Sequence, residues 1–157
     1  CMKACPTGAI SENGLTTERC MRLQMETAQH PDSVRAMQKT FIGCEICQYA
    51  CPRNAKIPPA DTESFRAANG DEINLNDVFN LKRLITGDAA QARSLVGRNF
   101  TGNGKLTAEA IAFASNDSEL FLSLRNEIFA AADSPFDAVR DAVRYAAAVE
   151  KKRSSHF

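Results

Sequence analysis

The reading turns on two short runs, Cys1-Met2-Lys3-Ala4-Cys5-Pro6 and Cys44-Glu45-Ile46-Cys47-Gln48-Tyr49-Ala50-Cys51-Pro52. Both end in the pattern C-x3-C-P, and the second carries a C-x2-C step in front of it. Cys20 stands between the runs, and no cysteine follows residue 51. Such crowding has three physical explanations: a disulfide framework, a zinc site or iron–sulfur clusters. Disulfides suit small secreted domains in oxidising compartments. No basic-then-apolar export segment opens this chain, and its cysteine-free remainder reads as able to pack alone. Structural zinc asks for four ligands in two close pairs, which Cys20, Cys44, Cys47 and Cys51 could supply.

Two details favour iron–sulfur over zinc. The run from Cys44 to Pro52 matches the later part of the bacterial ferredoxin pattern C-x2-C-x2-C-x3-C-P, and its tail recurs at Cys1 to Pro6. A pair of such tails is what a two-motif arrangement leaves when its first two cysteines are cut away, so the chain is expected to be a C-terminal piece of something longer. In the two-motif arrangement the last cysteine of each motif ligates the other cluster. On that rule Cys5 joins Cys20, Cys44 and Cys47 around one complete [4Fe–4S] site. Cys1 and Cys51 then serve a second, incomplete one. The long gap between Cys20 and Cys44 reads as an insertion with a helix across Ser33 to Phe41. Pro6 and Pro52 fix the backbone after the departing ligand and bring no amide in need of a partner. Gly8 and Gly43 suit close backbone approach. Ile10, Leu15, Phe41, Ile42, Ile46 and Tyr49 are the expected apolar cover, which tunes cluster potential by excluding water. Asn13-Gly14 marks a tight hairpin.

The rest of the composition bounds the partners. The 157 residues are 44% apolar and 24% charged, with 19 basic side chains balancing 19 acidic ones. No global field draws such a chain to nucleic acid or lipid, and no apolar run is long enough to cross a bilayer. A cytoplasmic setting is expected. Beyond Pro58-Pro59 the sequence shifts to alanine, leucine and arginine at helical spacing. We divide the chain into a cluster domain at 1–57, a linker at 58–73 and a helical region at 74–153. The expected helices are Asn74 to Ile85, Asp88 to Val96, Thr107 to Ser115, Ser118 to Ala131 and Pro135 to Lys151, with breaks at Gly87 and from Gly97 to Gly104. Asn116 with Glu119 predicts a capping box, and Ser134-Pro135 predicts a capped start with proline at the first helical position. Phe121, Leu124, Ile128 and Ala131 share one face, as do Phe136, Val139, Val143 and Ala146, which predicts an αα-hairpin. Arg93, Arg98, Lys105, Arg140 and Arg144, with Lys151, Lys152 and Arg153, are candidates for a phosphate-binding surface or a solvated helix face. Neither His30 nor His156 is assigned as a ligand. The fold class is thus α+β and mainly α, a ferredoxin-like double-cluster domain followed by helices.

Taken together, the run from Cys1 to Ile10, Arg19-Cys20, and the run from Phe41 through Gly43, Cys44, Cys47 and Cys51 to Asn54 resembles the epoxyqueuosine reductase family. The resemblance covers roughly residues 1–54. It implies a tRNA-modifying reductase in which a cobalamin-binding catalytic domain precedes a double-cluster domain and HEAT-like helices follow. The cobalamin pocket and the acid that donates a proton would lie upstream of Cys1, leaving this chain the electron relay and no catalytic residue. An external donor of flavodoxin or ferredoxin type, and tRNA through the intact protein, are the implied partners. Reductive dehalogenases share the cobalamin and double-cluster plan. An electron-carrier subunit without cobalamin and a zinc-stabilised interaction module are the other classes to separate.

Overall fold

A computed structural model describes residues 1–27, 30–58, 64–66 and 70–155. The protein is mainly helical, with two small antiparallel ribbons. The first is the hairpin expected at Asn13-Gly14: β1 (Ile10–Ser11) pairs with β2 (Gly14–Leu15), Ile10 facing Leu15. A 3₁₀ turn over Thr17–Arg19 then delivers Cys20 to α1 (Met21–Thr27). This helix is not among those expected, although Met21 and Met25, four residues apart, are both buried. A helix over Ser33 to Phe41 does not form. Only α2 (Asp32–Arg35) does, because both lone pairs of the Arg35 carbonyl are taken, by the Gln38 amide at 3.1 Å and by Asn116 Nδ2 at 2.7 Å. An irregular stretch with bends and Gly43 at positive φ leads to α3 (Ile46–Tyr49), which carries Cys47.

The segment read as linker holds the second ribbon, β3 (Ser64–Arg66) against β4 (Glu72–Asn74). The helix expected from Asn74 to Ile85 is split. Asn74 caps α4 (Leu75–Val78) through its side-chain oxygen, and Asn80 starts α5 (Leu81–Ile85) in the same way, accepting from the Arg83 amide at 3.2 Å. After α6 (Ala90–Val96), the stretch expected to be a break contains α7 (Arg98–Thr101) and a 3₁₀ turn. The last three helices are α8 (Lys105–Asn116), α9 (Ser118–Ala130) and α10 (Asp137–Ser154). Two caps differ from expectation. Asp117, not Asn116, caps α9 by accepting from the Glu119 and Leu120 amides, both at 2.9 Å. Ser134 Oγ accepts from the Phe136 amide, and α10 begins only at Asp137.

Helix α8 is the centre of the molecule. Leu106, Ala108, Ala110, Ile111, Ala112 and Ala114 bury it on several faces, and the alanines let neighbours approach closely. The apolar faces expected on α9 (Phe121, Leu124, Ile128) and α10 (Val139, Val143, Ala146) are buried in the core that α8 anchors. Gly104 opens α8 at φ 73°, and a Cβ there would stand 2.7 Å from Val139 Cγ2 on α10.

The helical region does not pack alone. Phe41 and Ile42 from the cysteine-rich part join its core, and the Phe41 ring lies 5.6 Å from Phe113 and 6.5 Å from Phe79. Phe41→Ala should therefore lower the stability of the whole chain by roughly 2–4 kcal/mol. In urea monitored by far-ultraviolet dichroism, the helical transition is expected to move to lower denaturant; an unmoved midpoint would show two separate cores.

Candidate metal centre

The six cysteines are free thiols, Cys1 exposed and the others partly covered. The Cys44 thiol is pushed above its ordinary range, first by burial, against which the Ile46 amide works, and further by the negative charge of Cys47, Cys20 and Cys5.

Local structure prepares the sulfurs differently. Cys5 is partly desolvated, which raises its pKa, yet hydrogen bonds from the Thr7 hydroxyl and from the Ala9, Thr7 and Ile10 amides outweigh this and hold it below the ordinary value. The Ala9 amide is 3.2 Å from Cys5 Sγ. Amides aimed at sulfur favour the anionic ligand form that a metal needs. Gly8 and Gly43 both hold positive φ, 61° and 68°, and a Cβ at Gly43 would stand 3.0 Å from the Arg22 guanidinium. The Thr40 hydroxyl donates to the Gly43 carbonyl and fixes the turn just before Cys44.

The expected apolar cover is only partly there. Ile10 and Ile46 are half-buried, but Tyr49 is 80% exposed and Leu15 58% exposed, while Phe41 and Ile42 serve the helical core. Cys44 is covered instead by Met21, Met25 and Val34. The two methionines are legible in the sequence as an i, i+4 pair directly after Cys20. An apolar groove of about 520 Å³ along Met21, Cys44, Ile46 and Tyr49 leaves one side of the site open. The basic surface is largely spent on internal partners. Arg144 binds Asp32 and Asp141, Arg140 binds Asp137, Arg153 donates to the Ser115 carbonyl and lies over Phe121, and Lys105 donates to the Asn99 carbonyl. His156 lies outside the described residues.

A single zinc ion would hold four sulfurs about 3.8 Å apart, as follows from tetrahedral bonds of about 2.3 Å. Among the described residues no group of three or more Cys, His, Asp or Glu closes on one ion in this way.

Comparison with known proteins agrees. Residues 1–54 match the family described as the 4Fe-4S double cluster binding domain. Over part of its length the chain is similar to epoxyqueuosine reductases. The chain is 42% identical over 60 residues to the epoxyqueuosine reductase of Lactococcus garvieae, covering 36% of this chain and 17% of that one. It is 37% identical over 68 residues to the enzyme of Leadbetterella byssophila (41% and 22%) and 33% identical over 69 residues to that of Cyclobacterium marinum (41% and 22%). The chain thus spans about a fifth of the length of the curated relatives it matches. No solved structure matches it.

Gly43→Ala is expected to cost about 1–2 kcal/mol, because alanine is disfavoured at positive φ, and to displace Arg22. Thermal unfolding should show the loss; a Tm equal to that of the parent would contradict the strain argument.

Proposed function

We propose that this chain supplies the electron relay of a cobalamin-dependent reductase of the epoxyqueuosine type, with its cobalamin-binding catalytic part carried by a segment outside these residues. The observation that carries the reading is the match of residues 1–54 to the 4Fe-4S double cluster binding domain. A [4Fe–4S] cluster bound there supplies a one-electron carrier. Cys5, Cys20, Cys44 and Cys47 would hold it, and Cys1 and Cys51 would contribute to a second cluster completed by ligands elsewhere. The chain's own residues prepare the ligands. Amides orient Cys5, Met21, Met25 and Val34 keep water from Cys44, and the groove beside Cys44 leaves access for a small protein donor of flavodoxin or ferredoxin type. The relatives' names support epoxyqueuosine in tRNA as the substrate of the whole enzyme. HEAT-like organisation of the helices and a cytoplasmic location belong to the same proposal. Among the described residues no helix is long and apolar enough to cross a membrane.

Anaerobic reconstitution with iron and sulfide tests this. The expected product is brown, with iron and sulfide in equal amounts and a paramagnetic signal that appears on reduction with dithionite. Cys47→Ser should abolish it. A colourless chain that takes up one zinc instead would overturn the reading.

A further inference from the structure

Between the cysteine-rich part and the helices lies a buried polar cluster that the relay does not use. His30, Arg35 and Gln38, all within the insertion between Cys20 and Cys44, are 4%, 2% and 3% exposed, and Glu109 of α8 is 4% exposed. Gln38 Nε2 donates to Glu109 Oε2, and His30 Nε2 lies 3.6 Å from the same oxygen. Among the described residues neither ring nitrogen of His30 has a hydrogen-bond partner within bonding distance, and Gln38 Oε1 has none. We propose that Glu109 is a positioning residue for the proposed cysteine centre, holding Gln38 beside the buried His30 so that the strap of residues 30–42 presents Cys44 to it. The inference rests on the cluster reading above.

The strap is also held elsewhere: Val34 packs with Met21 and Met25, Ile42 joins the helical core, and Arg144 binds Asp32. Phe41 enters the helical core, Asn116 holds the Arg35 carbonyl, and Arg35 binds Asp32 at 2.9 Å and Asp141 at 2.5 Å. Loosening the Glu109 end frees the stretch just before Gly43 and Cys44. A carboxylate at this depth, with Arg35 as the cation that acts on it, is expensive; a carboxylic acid can accept from Gln38 and offer its proton to His30. Burial accordingly pushes Glu109 up to about 8, opposed by the Gln38 hydrogen bond and the Arg35 charge. Burial and Arg35 hold His30 down at about 4, opposed by the Gln24 carbonyl, Asp141 and Asp32. Burial thus favours the neutral form of both groups.

The remaining charged groups around α8 are engaged elsewhere or exposed. Arg144 bridges Asp32 and Asp141, Arg22 pairs with Glu26, Lys82 with Glu127 and Arg83 with Asp88, and Arg98 is exposed. Because the folded pKa of Glu109 is raised, its contribution is complete below its ordinary value of 4.5 and is lost as pH rises through about 8. His30 acts in the opposite sense, its contribution complete above 6.5 and lost as pH falls towards 4.

The test is the rate at which the reconstituted full chain loses its visible absorption to a chelator between pH 6 and 9, for the parent, Glu109→Gln and Glu109→Ala. The parent should lose its cluster on the order of tenfold faster at pH 9 than at pH 6, because one unit above its folded pKa the buried carboxylate costs about one tenfold step and drives the joint open. Glu109→Gln should stay slow and nearly flat with pH, and Glu109→Ala should be fast throughout. A Glu109→Gln chain that follows the parent's rise, or a Glu109→Ala chain that keeps its cluster as the parent does, overturns the proposal. Hydrogen-exchange protection of residues 30–42 in the metal-free parent and Glu109→Gln chains gives a cluster-independent reading. Protection should fall above pH 8 in the parent alone, and identical profiles overturn the positioning role. A parent chain that protects the strap in this way yet takes up no cluster overturns the cluster reading instead.

Discussion

On the proposed reading, cysteines from three stretches of chain serve one cluster, and the rest of the fold has to hold like charges near one another. Cys44 shows the cost, its thiol pushed up by burial and by the charges of Cys47, Cys20 and Cys5. The chain answers it by local means at Cys5, where amides point at sulfur, and by long-range means at Cys44. The approach to Cys44 is fixed by a strap rooted in the helices through Phe41, Arg35 and Gln38. A bound cluster would add its own metal–sulfur bonds to this scaffold and turn like charges into shared ligands.

The joint between the two parts is polar where a hydrophobic contact would have been simpler. Arg35 is buried with Asp32 and Asp141 against it, Tyr145 donates to Asn116 at 2.6 Å, and Asn116 donates to the Arg35 carbonyl. Buried polar pairs of this kind add little net stability, because desolvation offsets the attraction, but each demands its partner in one geometry. The strap is therefore held in one register against α8 and α10, which a ligand-bearing segment needs more than it needs extra binding energy. The helical region is a wall of the cysteine site.

Much of this was legible in the sequence. The two C-x3-C-P tails identify the chemistry because cluster ligation imposes fixed spacing, and the apolar faces of α9 and α10 follow from helical period. Local chemistry misled where tertiary contacts decide. The Ser33 to Phe41 stretch has helical composition, yet Asn116, eighty-one residues from Arg35, takes the carbonyl that would have carried the helix onward. Phe41 and Ile42 looked like cover for the cysteines because they are their neighbours in sequence, but they pack among the helices. His30 and Glu109 gave no signal at all. A lone histidine assigned no ligand role and a glutamate in an alanine-rich helix are brought together only by the fold.

The ligand set is tested most directly by native mass spectrometry of the anaerobically reconstituted chain and two variants, Cys20→Ser and the double variant Cys1→Ser with Cys51→Ser. The account predicts that the double variant keeps the mass of one [4Fe–4S] cluster while Cys20→Ser loses it. A Cys20→Ser chain that holds the cluster, beside a double variant that does not, would contradict the crossed set and the positioning role of the strap.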